Sequence, residues 1–264
     1  MFLLSEVVTD GGRRLLSFVR SGVYPGPKSN EGTNMTRESK CRKCSKSCLN
    51  LYLPEEVLEE ALTFVDYEPE DNVIQQGTPI YHYHLLCEGY VKVGSRNSDG
   101  KKTLFSFLHR PGIIEKACLH EGDNHYPLFA TAITAARVGL ISPNEFGRLQ
   151  RKYPRFAKYV SATVSKELQF QFKKTAAKAW GGAKESLTWI LTHFSSQLNG
   201  NTPTNGGPCD LHLSEQDLAQ MLGFSRETVV RQLSSLRKKG LVRASRGSVI
   251  VLDPQGLIEE REKL

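Results

Sequence analysis

Two groups of residues have the types and spacing for chemistry. Near the start, Cys41, Cys44 and Cys48 fall within eight residues, interleaved with Arg42, Lys43 and Lys46 and preceded by Lys40. Thiols that close together hold metal ions or carry redox chemistry, and neighbouring cations lower their pKa and offset the charge of an anionic centre. The first fifty residues hold nine Lys/Arg against four Asp/Glu, so much of the chain's excess of positive charge is here. Near the end, Arg226, Arg231, Arg237, Lys238, Lys239, Arg243 and Arg246 share a stretch in which Glu227 is the only acid. A local basic stripe suits a polyanion, although a solvated helix face has the same composition.

The second group needs helices to aim it. Ser214-Glu215-Gln216-Asp217 has the form of a capping box, with a serine at the cap and an acid three residues on, and it leads into Leu218, Ala219, Met221 and Leu222. Gly223 ends that helix, and Ser225 caps a second one, Arg226 to Lys239, which Gly240 ends. Two short helices about a glycine turn form a helix-turn-helix. On a wheel of 100° per residue from Val229, Leu233 and Leu236 lie within about 40° and mark the buried face. Arg226, Glu227 and Arg231 lie about 60°, 160° and 200° away, on the side turned from that core. In a major groove an arginine forks onto guanine O6 and N7 and a glutamate accepts from cytosine N4, each pair worth about 1–3 kcal/mol of discrimination. The local alternative is an i,i+4 pair between Glu227 and Arg231. Beyond Gly240, two apolar runs at 241–244 and 249–252 flank Arg246-Gly247-Ser248 as a hairpin, which makes the unit a winged helix.

The rest of the 264-residue chain supplies the frame. A net charge of +7, 39 % apolar residues, nine Tyr, twelve Phe and two Trp exclude a disordered chain and leave room for one large or two ordinary domains. No stretch approaches the roughly 20 apolar residues of a membrane span. Met1–Leu4 is cut off by Glu6 and Asp10 before a signal peptide develops, so a cytoplasmic protein is expected, in which six cysteines are not structural disulfides. No nucleophile elbow, P-loop or metal-hydrolase spacing is present, and an enzyme is not expected.

Residues 1–40, with Gly11-Gly12 and Pro25-Gly26-Pro27, read as a flexible arm, and Met35 is an alternative start. Residues 41–150 read as the cysteine cluster and an antiparallel β-roll preceded by a helix over 53–62. Its strands are Val73-Ile74, His84–Leu86, Tyr90–Val93 and Thr103–Phe107. Phe156, Val160, Val164, Leu168 and Phe172 then recur every four residues on one long helix, 151–181, whose stripe exceeds what the roll can cover and favours pairing with a second copy. Gly181-Gly182 breaks the run, and residues 182–264 form the winged helix, starting with a helix over 187–198. The fold class expected is α+β.

That order of parts resembles the CRP/FNR superfamily of bacterial transcription regulators over about residues 41–256. The similarity is most specific in Phe224-Ser225-Arg226-Glu227-Thr228-Val229-Val230-Arg231, which looks like the recognition helix of the catabolite activator branch. The resemblance implies a homodimer on a two-fold symmetric double-stranded DNA site. Arg226, Glu227 and Arg231 would read a TGTGA-like half-site, Ser225 and Thr228 would approach phosphates, and RNA polymerase would be a further partner. The FNR branch has serine where Val230 stands, so base preference departs from that branch. The cyclic-nucleotide branch carries an Arg-Ser pair where this chain has 125–130, a stretch without arginine, so cyclic AMP is not expected.

Pro127–Ala132 and the cysteines before the first helix are similar to FNR proteins. This implies a 4Fe–4S cluster on Cys41, Cys44 and Cys48. FNR spaces its last two cysteines more widely, and its distant ligand falls at Gly139, which cannot ligate. Cys118 is the substitute chosen over Cys87 and Cys209, with a small core residue as its plain alternative. Zinc on the three thiolates with His120 or His125 is the alternative metal site, and a small organic effector in the roll is the alternative signal.

Overall fold

Pro54 and two glutamates in the first turn open the helix α1 (Glu55–Ala61), which follows a 3-10 turn at Leu49–Leu51 and turns Leu58 inward. The computed structural model describes residues 49–119, 124–200, 207–245 and 247–262, all within one compact unit. The expected arm 1–40, the ligands Cys41, Cys44 and Cys48, and His120 and Arg246 lie outside the described residues.

After α1 come β1 (Thr63–Tyr67), β2 (Asn72–Ile74), β3 (Tyr83–Glu88), β4 (Val91–Arg96), β5 (Lys102–Leu108), β6 (Gly112–Ile113), β7 (Phe129–Ala132) and β8 (Ala136–Ile141). They pair antiparallel into two four-stranded sheets, ordered β1-β8-β3-β6 and β2-β7-β4-β5. Leu86 and Val138 from one sheet and Val73, Ile74, Val91, Val93 and Ala130 from the other bury in one core, which closes the roll. β7 is buried at all four positions, so it lacks the two-residue alternation by which a strand is recognised in a sequence.

Ser142 caps α2 (Pro143–Lys152), accepting the backbone N–H of Glu145 at 3.2 Å. The long helix α3 (Pro154–Leu198) absorbs both the expected dimer helix and the helix over 187–198. It is interrupted at Gly182, whose φ of 64° and ψ of −145° lie outside the helical region. Along its first half the apolar stripe divides. Phe156 is 1 % exposed and Val160 is buried beside the roll, whereas Val164, Leu168 and Phe172 stand out, Phe172 at 66 %.

The last unit comprises β9 (Cys209–Asp210), α4 (Glu215–Leu222), α5 (Arg226–Lys238), β10 (Val242–Ser245), β11 (Ser248–Val251) and α6 (Pro254–Glu262). The wing hairpin β10-β11 gains β9 as a third antiparallel strand. Among the described residues no helix is long and apolar enough to cross a membrane.

Candidate nucleic-acid interface

The helix pair α4–α5 is set by local chemistry at each end. The Asp217 N–H donates to Ser214 Oγ at 3.0 Å and the Ser214 N–H donates to Asp217 Oδ2 at 3.0 Å, completing the capping box. Gly223 adopts the left-handed conformation, φ 70°, that ends α4 and turns the chain. Ser225 then caps α5, accepting from the Thr228 N–H at 3.2 Å. Val229, Leu233 and Leu236 on α5 are buried with Leu218 and Leu222 of α4, Ile190 and Phe194 of α3, Val249 and Val251 of the wing and Leu257 of α6. Each such side chain contributes about 1.5–3 kcal/mol by leaving water, so the orientation of α5 is fixed from behind.

With that face committed, Ser225, Arg226, Glu227 and Arg231 are exposed and Thr228 is half-buried. The N–H of its own residue and the Ser225 hydroxyl hold the Glu227 carboxyl below the usual carboxylate range, so it is an ionised acceptor at neutral pH. Among the described residues Arg231 has no ion-pair partner, and the Glu227–Arg231 pair is not formed. Arg226 is different. One of its guanidinium N–H groups donates to Glu215 Oε2 at 3.2 Å, and Arg237 donates to Glu215 Oε1 at 2.8 Å. Sequence reasoning used Glu215 only as part of a capping signature. An acid in the first turn of a helix is accounted for by the helix dipole alone, so no sequence signal distinguished its second role.

The chain also ties this unit to the roll and the roll to α3. Asp217 of the capping box accepts from Lys92 of β4 at 3.3 Å. Lys178 of α3 lies over the ring of Phe224 in the turn, 5.2 Å from its centroid. Glu167 of α3 accepts from Lys116 at 3.0 Å, from Ser106 at 3.3 Å and from Gln171 at 2.7 Å. Burial raises the Glu167 pKa, but the Lys116 charge and these three donors outweigh it and leave the carboxyl below its usual range.

Of the candidate metal ligands, Cys118 ends the 3-10 turn Lys116–Cys118. It has no solvent exposure and sits in the roll core with Leu86, Tyr126 and Val138. These are the surroundings of a small core residue, and a ligand role there requires the centre to meet the roll from within. Cys87 is half-buried with its thiol on the Leu85 carbonyl at 3.5 Å. Burial, with help from Asp210, pushes the Cys209 thiol up to about 11, which makes it a poor thiolate. Among the described residues no three His, Cys, Asp or Glu side chains are grouped to hold a metal ion. The donor chemistry of Cys41, Cys44 and Cys48, thiols among cations, suits a soft metal centre.

Residues 187–260 match the Crp-like helix-turn-helix domain, and residues 64–153 match the cyclic nucleotide-binding domain. The chain is 25 % identical over 185 residues to the cAMP-activated global transcriptional regulator CRP of Escherichia coli O6:H1, a match covering 70 % of this chain and 87 % of that protein. It is 25 % identical over 204 residues to the anaerobic regulatory protein of Bacillus subtilis strain 168, covering 75 % and 82 % respectively. Among solved structures, FixK2 from Bradyrhizobium japonicum superposes with a TM-score of 0.64 at 22 % identity, over 75 % of this chain and 96 % of that one, a likeness of fold.

Proposed function

We propose that this chain, a transcription regulator of the CRP/FNR family, is a cytoplasmic homodimer that reads a palindromic TGTGA-like site through α5 and answers to oxygen or redox state. One observation carries the DNA reading. Arg226, Glu227 and Arg231 are exposed on the first two turns of a helix whose opposite face is fully packed. In this reading Arg226 and Arg231 fork onto guanines, Glu227 accepts from cytosine N4, and Ser225 and Thr228 meet phosphates. Exposed Val164, Leu168 and Phe172 support pairing of α3 with a second copy, which sets two reading helices about 34 Å apart, in successive major grooves. RNA polymerase is then the partner that turns occupancy into regulation.

The proposed sensor is the N-terminal thiols. Cys41, Cys44 and Cys48 hold a 4Fe–4S cluster as thiolates, Cys118 completes the donor set, and the interleaved cations offset its charge. Bound there, the cluster supplies sensitivity to oxygen and redox state. Leu49 and Leu53, just after Cys48, bury in one core with Phe156 and Val160 of α3, and this shared core supports a route from the thiols to the dimer helix. The match of 64–153 to the cyclic nucleotide-binding domain favours a second reading, a small organic effector in the roll. Cyclic AMP is not the effector proposed, because 125–130 offers no arginine for its phosphate.

The deciding experiments are two. Duplexes bearing the TGTGA palindrome should lose at least tenfold in affinity to Arg226→Ala and to Arg231→Ala, on the scale of one forked contact. Undiminished binding would remove α5 as the reader. Anaerobic purification with a visible spectrum and iron and sulfide counts should give a brown protein with bound iron and sulfide, whose visible absorption disappears in Cys41→Ala and Cys48→Ala. A colourless, iron-free wild type argues for the effector reading, and zinc in its place argues for a structural site.

A further inference from the structure

Arg226 and Arg237 are eleven residues apart, so on an ideal helix they share a face to within about 20° and stand about 16 Å apart along the axis. Both converge on the one carboxylate of Glu215, each taking a separate oxygen. Arg237 is the anchored partner: it is half-buried, its Nε is shut away from water, and it lies three turns behind the reading end. The side chain of Arg226 is 60 % exposed and belongs to that end. Glu215 is itself mostly buried beneath them. A carboxylate held from one side by a fixed guanidinium is a firm post for the other.

We propose that Glu215 is a specificity-determining positioning residue of the DNA-reading surface. It aims Arg226 at base edges and removes one effective cation from the pool that any phosphate would attract. The inference rests on the reading of α5 as the recognition helix. A guanidinium has five N–H donors; with one given to Glu215, enough remain to fork onto guanine O6 and N7, so the post is kept in the complex. A phosphate needs no such aim. It is met by any flexible cation, and the Glu215 charge screens Arg226 from it.

The test measures two affinities by fluorescence anisotropy across a salt series, one for the duplex that wild type selects from a random pool and one for its scrambled counterpart. Glu215→Gln, which keeps the length and loses the charge, should bind the scrambled duplex about fivefold more tightly and steepen its logarithmic salt slope by about one. The selected-to-scrambled ratio should fall about tenfold, as one aimed contact is lost. In an Arg226→Ala background the same substitution should leave the selected-to-scrambled ratio unchanged, because the cation it still unpairs, Arg237, attracts phosphates of either duplex alike. If Glu215→Gln weakens both duplexes equally, or lowers the ratio by the same factor without Arg226, Glu215 does not act through Arg226 and the proposal is overturned. A thermal melt on each variant separates this from unfolding. Should wild type select no sequence at all, α5 is not a reader and the proposal falls with that reading, whereas a selective wild type with an unchanged ratio in Glu215→Gln overturns the proposal alone.

Discussion

The ring of Tyr52 stacks on the ring of Tyr159, with centroids 4.5 Å apart and planes inclined by 30°. Tyr52 stands four residues after Cys48, and Tyr159 is in the second turn of α3. The segment that leaves the cysteines is therefore fastened to the helix that carries the exposed stripe. A double-mutant cycle of Tyr52→Ala and Tyr159→Ala on urea midpoints should return a coupling of about 0.5–1.5 kcal/mol. In the single variants, DNA affinity measured with and without air should differ less than in wild type. Additive stability effects would mean that the rings merely adjoin.

The packed and exposed faces of α5 should respond to truncation in opposite ways. Leu233 has no exposure, so Leu233→Ala should destabilise the fold by about 2–5 kcal/mol in chemical denaturation. Arg231→Ala removes no packed group and should leave the denaturation midpoint nearly unchanged while weakening DNA binding. Equal stability losses would place Arg231 in the fold instead of the reader.

Exposed apolar side chains in the middle of α3 should be buried by a partner copy. Phe172→Glu or Leu168→Glu should shift the protein from dimer to monomer in sedimentation velocity without lowering its thermal midpoint by more than loss of the partner explains. A wild-type monomer at micromolar concentration would dispose of the homodimer.

Two histidines at the meeting of roll and α3 should make stability depend on pH. His109 stacks on Phe107, and both of its buried ring nitrogens lack partners; His193 stacks on Trp189 and contacts Phe170. Burial above all, then Arg110, His193 and Lys116, lowers His109 to about 4. Burial, then Lys173, lowers His193 to about 4 against the opposing charge of Glu167. Between about pH 6.5 and 4 the unfolded chain binds more protons at these sites than the native one. Their stabilisation is therefore intact above about pH 6.5 and lost as pH falls towards 4, with a slope of at most about 1.4 kcal/mol per pH unit for each ring. Urea midpoints at several pH values should have a shallower slope in His109→Phe than in wild type. An unchanged slope would show that this ring does not titrate with folding.

The legible parts of the fold were those written in neighbouring residues. The Ser214 box, the Gly223 turn, the Ser225 cap and the Val229–Leu233–Leu236 seam depend on contacts within one or two turns, and each is found at its expected residue. Contacts between distant segments left weaker traces. The two-residue strand β9 exists because Cys209 and Asp210 meet Val251 and Ile250 some forty positions on, and α6 has no marked apolar periodicity. The wheel for α5 put Arg226 on the outward side because it treated the helix as alone; at about 60° from Val229 it is also on the flank that α4 reaches, which is where Glu215 waits. For Cys118, a thiol in a loop reads equally as ligand or as filling, and only the enclosing roll core distinguishes the surroundings.

The break at Gly182 has a mechanical consequence. A continuous α-helix transmits torque, because its ladder of backbone bonds resists twisting, but a joint with non-helical dihedral angles does not. The bearing of the winged helix is thus governed by side contacts, Asp217 with Lys92 of the roll and Phe224 with Lys178 on the stretch of α3 before the break, and not by twist carried through Gly182. In the proposed dimer the aim of each reading head would be set by its own roll, whose Leu104, Phe107 and Phe129 share a core with Leu218 and Leu222, so loosening that seat, as in Lys92→Ala, should change which half-site separations are bound.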